Sequence, residues 1–278
     1  MGAESLFFLV GQSSPRRASL RRMREVKGGG RIGLEFEGMA RLGRIRHVFS
    51  TRDREGGGNL ALSRGDLESA LAERAFWSDW IGVSERAWVV GGAAHGNQIA
   101  VVAQGDCGLG ATEPDTAIPG TDGLLTTQAD VPLFLPVADC AAVLLYAGGE
   151  SPGLGLVHAG WRGLASNVLA AAVDELCRLT NCSPQEIFAG ISPCIGPANF
   201  EVGDDVRSAA PENRQILMGS AWHVDLAGWA FEQLSCSGLS PELIECSGLD
   251  TVEREDLFFS HRRDGEAAGR NGLLAVLA

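Results

Sequence analysis

The sequence predicts one α/β domain with mixed β-sheets, and three observations carry that reading. From Ile32 onward, short apolar runs of strand length alternate with segments whose apolar residues recur at helical spacing, the pattern of a layered α/β protein. No internal repeat and no strong linker interrupts this alternation after residue 31. A chain of 278 residues, 45% of them hydrophobic, has enough apolar surface to fill a sizeable core.

Residues 1–31 stand apart from that pattern. They carry Arg16, Arg17, Arg21, Arg22, Arg24, Lys27 and Arg31 against Glu4 and Glu25, and they include Gly28-Gly29-Gly30. They read as a basic, disordered N-terminal arm ahead of a domain at 32–278. The arm is either a partner-binding tail or a stretch upstream of a fold that begins near Met23. Within the domain, 34–36 and 45–49 read as strands, followed by the loop Gly56-Gly57-Gly58-Asn59. Ser63 with Asp66 three residues on resembles a capping box, opening a helix with Leu67, Ala70, Leu71 and Ala75 on one face and Gly82 at its end.

Residues 87–90 and 99–103 read as strands flanking the turn His95-Gly96-Asn97, which places His95 at a strand end or in a hairpin loop. The segment 105–123, rich in Gly, Pro, Thr and Asp, reads as a long surface loop, a place where function often resides. Strands at 133–137 and 142–146 bracket Ala138-Asp139-Cys140. A strand at 155–157 then stops on His158, and one long helix follows with Leu164, Val168, Ala172, Leu176 and Leu179 at helical spacing and Asn181 as its stop. A strand at 187–191, a helix capped by Asp225 and ending at Gly238, a polar stretch at 258–270 and a last strand at 273–277 complete the order.

Composition narrows the function classes. A net charge of -12 argues against duplex nucleic acid or an anionic membrane as partner, because neutralising phosphates requires clustered basic charge. Any bound anion must therefore find a local group of arginines. Seven cysteines, an odd number with no C-x-x-C pair, predict free thiols in a reducing cytoplasm. The apolar run 6–10 is too short to cross a bilayer or to direct export.

The chemistry gathers at 155–163, where a strand, a small-residue turn and a helix start meet. The last strand residue and the first helical N–H groups of such a junction face one spot, which favours anions. His158 and Arg162 sit there, Ala159 and Gly160 admit a ligand to the backbone, and Trp161 anchors the turn. His95, beside a glycine at another strand end, and Cys140, between two strands, complete a set of two imidazoles and one thiol. That set suits zinc, and three protein ligands leave a coordination position open, the mark of a catalytic site. Against this stand plainer roles: a cysteine as a small buried hydrophobe and a turn histidine as a hydrogen-bonding residue. Asp139 either orients a ligand or caps a turn. Arg162, Arg262, Arg263 and Arg270 either converge on phosphate or form salt bridges with Glu253, Glu255 and Asp264. Asp122-Gly123 reads as a turn, and His47 and His223 are not read as ligands.

Several strings occur in the order seen in a known family: His95-Gly96, Ala138-Asp139-Cys140, HAGWRG at 158–163, Gly196-Pro197 with Phe200-Glu201-Val202, and SHRRDG at 260–265 with Gly269-Arg270. From His47 to Leu277 the chain resembles the YfiH-like laccase-domain family, members of which are also described as multifunctional purine nucleoside phosphorylase, polyphenol oxidase or peptidoglycan editing factor. The resemblance implies a four-layer α/β/β/α fold, zinc held by His95, Cys140 and His158, and a substrate contact at Asp122. The sequence departs from the family pattern at Ala93, at Ala141-Ala142, at Asp250 and at His261, where Gln, Pro, Cys and Tyr are usual. These changes spare the metal ligands and touch the substrate side.

The resemblance implies a zinc-dependent purine nucleoside phosphorylase acting on adenosine or inosine and phosphate, with adenosine deaminase activity as a side reaction. Cys140, His158 and Arg162 would serve catalysis, and Arg262 and Arg263 would bind substrate beside Asp122. Copper is the second choice of ion, and the molecule is expected as a monomer or small homo-oligomer. Two alternatives come from other classes: a metal-independent hydrolase with Cys140 as nucleophile and His158 as base, and a non-catalytic zinc protein acting in peptidoglycan precursor fidelity. A multicopper oxidase needs many more imidazoles than the five histidines present.

Overall fold

The computed structural model describes residues 23–53 and 57–278. The chain opens with β1 (Met23–Gly28) and β2 (Arg31–Phe36), followed by α1 (Glu37–Leu42) and β3 (Ile45–Ser50). Next come α2 (Leu67–Ile81), β4 (Val89–Gly92), β5 (Ile99–Val101), β6 (Ile118–Pro119) and β7 (Gly123–Thr126). The centre of the chain is β8 (Leu133–Val137), β9 (Ala141–Ala147), β10 (Gly153–Ala159), α3 (Trp161–Ala165), α4 (Val168–Thr180) and β11 (Ile187–Ile191). The last part holds β12 (Glu201–Val202), α5 (Asp204–Ala209), β13 (Gln215–Met218), β14 (Ala221–Val224), α6 (Leu226–Cys236), β15 (Ile244–Cys246), α7 (His261–Asp264) and β16 (Asn271–Leu277).

Among the described residues these strands form a seven-stranded sheet ordered β1-β2-β3-β16-β8-β4-β6, a six-stranded sheet ordered β15-β11-β9-β10-β7-β5, and a small sheet β12-β14-β13. Both large sheets mix parallel and antiparallel pairs. Alternation along single strands stacks them. In β9, Ala142, Leu144 and Tyr146 join the core shared with Leu34, Phe49, Leu135 and Leu273 of the larger sheet. The intervening Ala141, Val143, Leu145 and Ala147 pack against Val168, Ala172 and Leu176 of α4 and Leu234 of α6. β16 does the same on the other side: Leu273 and Ala275 face the second sheet, whereas Leu274 and Val276 meet Trp77 and Ile81 of α2. A period of two with apolar residues at both parities is what a strand buried on both faces requires. The layers therefore run α2, first sheet, second sheet, then α3, α4 and α6, the expected α/β/β/α order. No helix of the described residues is long and apolar enough to cross a membrane.

Four details differ from the sequence reading. The arm assigned to 1–31 ends sooner: residues 1–22 lie outside the described residues, but 23–36 form an antiparallel hairpin turning at Gly29-Gly30, both at positive φ. A run of three glycines, read as loose chain, here supplies the turn. In α2 the cap is Asp66, whose carboxylate accepts from the Ser69 N–H, and the Ser63 box does not form. The buried face is Ala70, Arg74, Trp77, Ser78 and Ile81, and Leu67 is exposed, because the large indole of Trp77 decides which side turns inward. The strands around His95 are not a hairpin, since β4 and β5 belong to different sheets. The single helix after His158 is two, broken where Asn167 takes the left-handed conformation at φ 58°.

Candidate metal centre

Topology brings five chain segments to one end of the sandwich. β4 and β8 run parallel in the first sheet, so the crossovers that leave them for the second sheet, 93–98 and 138–140, start from the same end. β10 arrives at that end with its C-terminus, since His158 pairs with Ala142 and Ala159 with Ala141 at the start of β9. β7 and β16 begin there: Gly123 pairs with Val157 and Asn271 with Val137. His95 and Cys140 thus stand on the two crossovers, His158 in the end of β10, Asp122 just before β7 and Arg270 just before β16. Leu154 and Leu156 face the core between the sheets, so His158, of the same parity, closes that core at its rim.

The ligand-capable atoms of His95, Cys140 and His158 lie within 4.8 Å of one another. Zinc bonds of about 2.0–2.3 Å require only small inward side-chain movements from that spacing, and the donor set of two imidazoles and a thiolate fits the ion. Two glycines make room. A Cβ at Gly160 would stand 3.0 Å from Cys140 Sγ and 3.5 Å from His158 Nε2, and one at Gly163 would stand 3.1 Å from the Gly96 carbonyl.

Asp122 organises the ligands. Its buried carboxylate accepts from the backbone N–H groups of Ala94 (3.2 Å), His95 (2.9 Å) and Gly96 (2.7 Å), and from His158 Nδ1 (3.0 Å). The three backbone bonds hold the loop that presents His95, whose own φ of 59° lies in the left-handed region. The fourth bond keeps a proton on Nδ1 and leaves Nε2 of His158 for a metal. The sequence reads Asp122-Gly123 as a turn, with a substrate contact implied by resemblance, and Asp139 as either a ligand-orienting residue or a turn cap. The structure gives that work to Asp122. Asp139, at φ 81°, instead accepts from Thr251 Oγ1 (2.6 Å) and from the Arg262 N–H (2.6 Å), tying the Cys140 turn to the polar stretch before β16.

Without an ion, Cys140 and His158 form a charged pair. Burial raises the Cys140 thiol, but hydrogen bonding and charge from His158, then from His95, outweigh it and bring the thiol down to about 6. Burial lowers His158, and its bonds to Asp122 and Cys140 more than reverse this, to about 10. Asp122 is raised by burial and drawn below the usual carboxylate range by His158 and the loop N–H groups.

The centre opens into a cavity of about 370 Å³, also lined by Arg64, Ala93, Pro136, His261, Glu266 and Arg270. Of the four arginines read as either converging on phosphate or forming salt bridges, three do not line this cavity. Arg162 is exposed and lies over the Trp161 ring, 4.2 Å from its centroid. Arg262 donates to the carbonyls of Asn199 and Glu201. Arg263 pairs with Asp264 and donates to the carbonyls of Thr251, Val252 and Phe258. The last two are spent on backbone carbonyls distant in the chain or in loops, a demand invisible in sequence. Arg270 does reach the cavity, joined by Arg64, which sequence reasoning passed over; it lies in a loop far along the chain from every recognised string.

A two-sheet α/β sandwich with an open two-histidine, one-cysteine centre at its rim defines a laccase-domain protein. Residues 46–278 match the family model described as multi-copper polyphenol oxidoreductase laccase, and the chain belongs to that family. It is 35% identical over 223 residues to purine nucleoside phosphorylase YlmD of Geobacillus stearothermophilus, covering 76% of this chain and 80% of the relative. It is 28% identical over 245 residues to adenosine deaminase RL5 of an unknown prokaryotic organism, covering 84% and 92%. The crystal structure of the Bacillus licheniformis hypothetical protein YfiH superimposes with a TM-score of 0.82 at 28% identity, covering 88% of this chain and 96% of that one.

Proposed function

We propose that the protein is a zinc-dependent purine nucleoside phosphorylase, converting adenosine or inosine and phosphate to the free base and ribose 1-phosphate. The observation that carries this reading is the convergence of His95, Cys140 and His158 at the floor of a cavity that also holds arginine side chains, in a chain similar to a protein named for that activity. A bound ion would be held by those three residues and would supply positive charge to neutralise and orient an oxyanion. Asp122 keeps His158 and the His95 loop in register for it. A phosphate oxygen forms a bond to the anomeric carbon as the bond from that carbon to the purine nitrogen breaks; its electron pair leaves with the base, which takes up a proton. Holding the two substrates in line supplies much of the acceleration. With water as nucleophile, the same cavity suits deamination of adenosine as a side reaction.

The multicopper reading implied by the family description finds little support, since among the described residues this is the one cluster of metal-ligating type. His47 Nε2 accepts the Phe36 N–H, and His223 Nδ1 bonds the Pro197 carbonyl. A Cys-His hydrolase is favoured by one observation, the thiol held at about 6 beside His158, but it leaves His95 without a role. Three measurements decide: metal content, inosine turnover against added phosphate, and the sugar product. We expect close to one zinc per chain and a rate that rises and saturates with phosphate, yielding ribose 1-phosphate. A phosphate-independent rate giving free ribose would establish a hydrolase, and no turnover of any purine nucleoside would leave a zinc-binding protein.

A further inference from the structure

We propose that Arg64 and Arg270 form the oxyanion clamp of this cavity, and that the side-chain amide of Asn59 sets the distance between them. The ligand class is inorganic phosphate or the phosphate of a sugar phosphate, and its place in catalysis rests on the phosphorylase reading above.

The argument starts from Asn59, which follows the glycines at 57 and 58. Its Nδ2 donates to the carbonyls of Ala61 (3.2 Å) and Arg64 (2.7 Å), and its Oδ1 accepts from the N–H groups of Ala61 (3.1 Å) and Arg270 (2.8 Å). All four bonds of the amide are made, two to Ala61, one to the Arg64 carbonyl and one to the Arg270 N–H, so it ties together the backbones of two residues 206 positions apart (270 less 64). A backbone bond from the Leu60 N–H to the Arg270 carbonyl, at 3.1 Å, reinforces the link. Both side chains line the metal cavity, and both, with Pro136, also line a second cavity of about 220 Å³.

Their charges are not consumed there. Among the described residues no carboxylate lies within ion-pair distance of Arg270, whose Nη1 donates only to the carbonyls of Ala268 and Gly269. Burial, and then the positive charge of Arg64, press its pKa down against the opposing pull of Asp139, Cys140 and Glu266. Arg64 pairs with Glu266 at 3.2 Å, through a carboxylate whose side chain is 85% exposed. Two guanidinium groups fixed near each other over a cavity call for an anion between them, and planar forks match phosphate oxygens. The Glu266 carboxylate is the competitor that phosphate displaces from Arg64.

Calorimetric titration of the metal-loaded protein with inorganic phosphate tests this. Arg64→Gln and Arg270→Lys should each weaken phosphate binding roughly tenfold or more, and Asn59→Ala several-fold at unchanged metal stoichiometry. Glu266→Gln should tighten it by about two- to fivefold, since an exposed ion pair opposes little. That gain cannot arise from damage to the fold, so it keeps the test sound if Arg270→Lys proves unstable. Parent-like affinity in Arg64→Gln, or weaker binding in Glu266→Gln, would overturn the clamp. If affinity follows the expected order while nucleoside turnover ignores phosphate, the clamp stands and the phosphorylase reading falls. If turnover depends on phosphate but these variants alter only nucleoside half-saturation, the clamp falls and the phosphorylase reading stands.

Discussion

At the scale of single residues, one carboxylate holds two of the three residues that could bind an ion. Asp122 binds the loop carrying His95 and fixes the tautomer of His158, so Asp122→Asn should lower metal affinity by about 10- to 100-fold, as loss of a histidine's carboxylate partner does elsewhere. Competition with a chelating dye reads this directly, with His95→Ala, Cys140→Ala and His158→Ala as references that lose the ion. The Cys140–His158 pair also sets a pH window. The thiol, moved from 9.0 to about 6, contributes stability that is full above the unfolded value and is lost as pH falls through about 6. His158, moved from 6.5 to about 10, contributes stability that is full below the unfolded value and is lost as pH rises through about 10. Thiolate and imidazolium therefore coexist between those limits in the metal-free protein. Alkylation of Cys140, measured as the difference between the parent and Cys140→Ser, should be half-maximal near pH 6; a midpoint near 9 would show that His158 does not stabilise the thiolate.

At the scale of elements, the break between α3 and α4 is held from outside. Asn167 leaves helical geometry, which orphans the Leu169 N–H at the start of α4; the Gln233 side chain of α6 accepts from it at 3.0 Å and donates at 2.9 Å to the Leu164 carbonyl, which also takes the Asn167 N–H at 3.0 Å. Gln233→Leu would leave the buried Leu169 N–H unpaired at a cost of about 2 kcal/mol. For a chain of this size the melting temperature should fall by roughly 4–8 °C. Metal stoichiometry should not change, because α3 follows His158 and carries no ligand. An unchanged melting temperature would mean that water replaces the amide.

At the scale of the molecule, the two sheets meet through close contacts that glycine permits. A Cβ at Gly190 in β11 would stand 2.6 Å from the Phe36 ring of β2, a stiff aromatic side chain that is itself fully buried. Gly190→Ala should destabilise by about 1–3 kcal/mol through overpacking, measured by denaturant titration. A neutral or stabilising result would show that the layers can part without loss. Glu245 of the neighbouring β15 joins the layers by polar means, accepting from the Gly38 and Met39 N–H groups at 3.0 Å each.

Much of this was legible in the chain because its signals are local. Alternation fixed most strand positions, 187–191 and 133–137 to the residue, and Gly82 and Asn181 stop their helices as left-handed caps. The HAGWRG string and its companions marked the three residues, His95, Cys140 and His158, that converge at the centre. What the sequence could not contain was the pairing of distant backbones: which sheet each strand joins, that the crossovers at His95 and Cys140 leave from one end, or that Asn59 ties Arg64 to Arg270. The arginines show the limit most clearly. All carry the same charge and fork, so residue type cannot separate Arg262 and Arg263, spent on loop carbonyls, from Arg64 and Arg270, which face the cavity. Sequence determined which groups can do the chemistry; only tertiary structure decided which of them meet, because burial and unsatisfied backbone groups are properties of the packed whole.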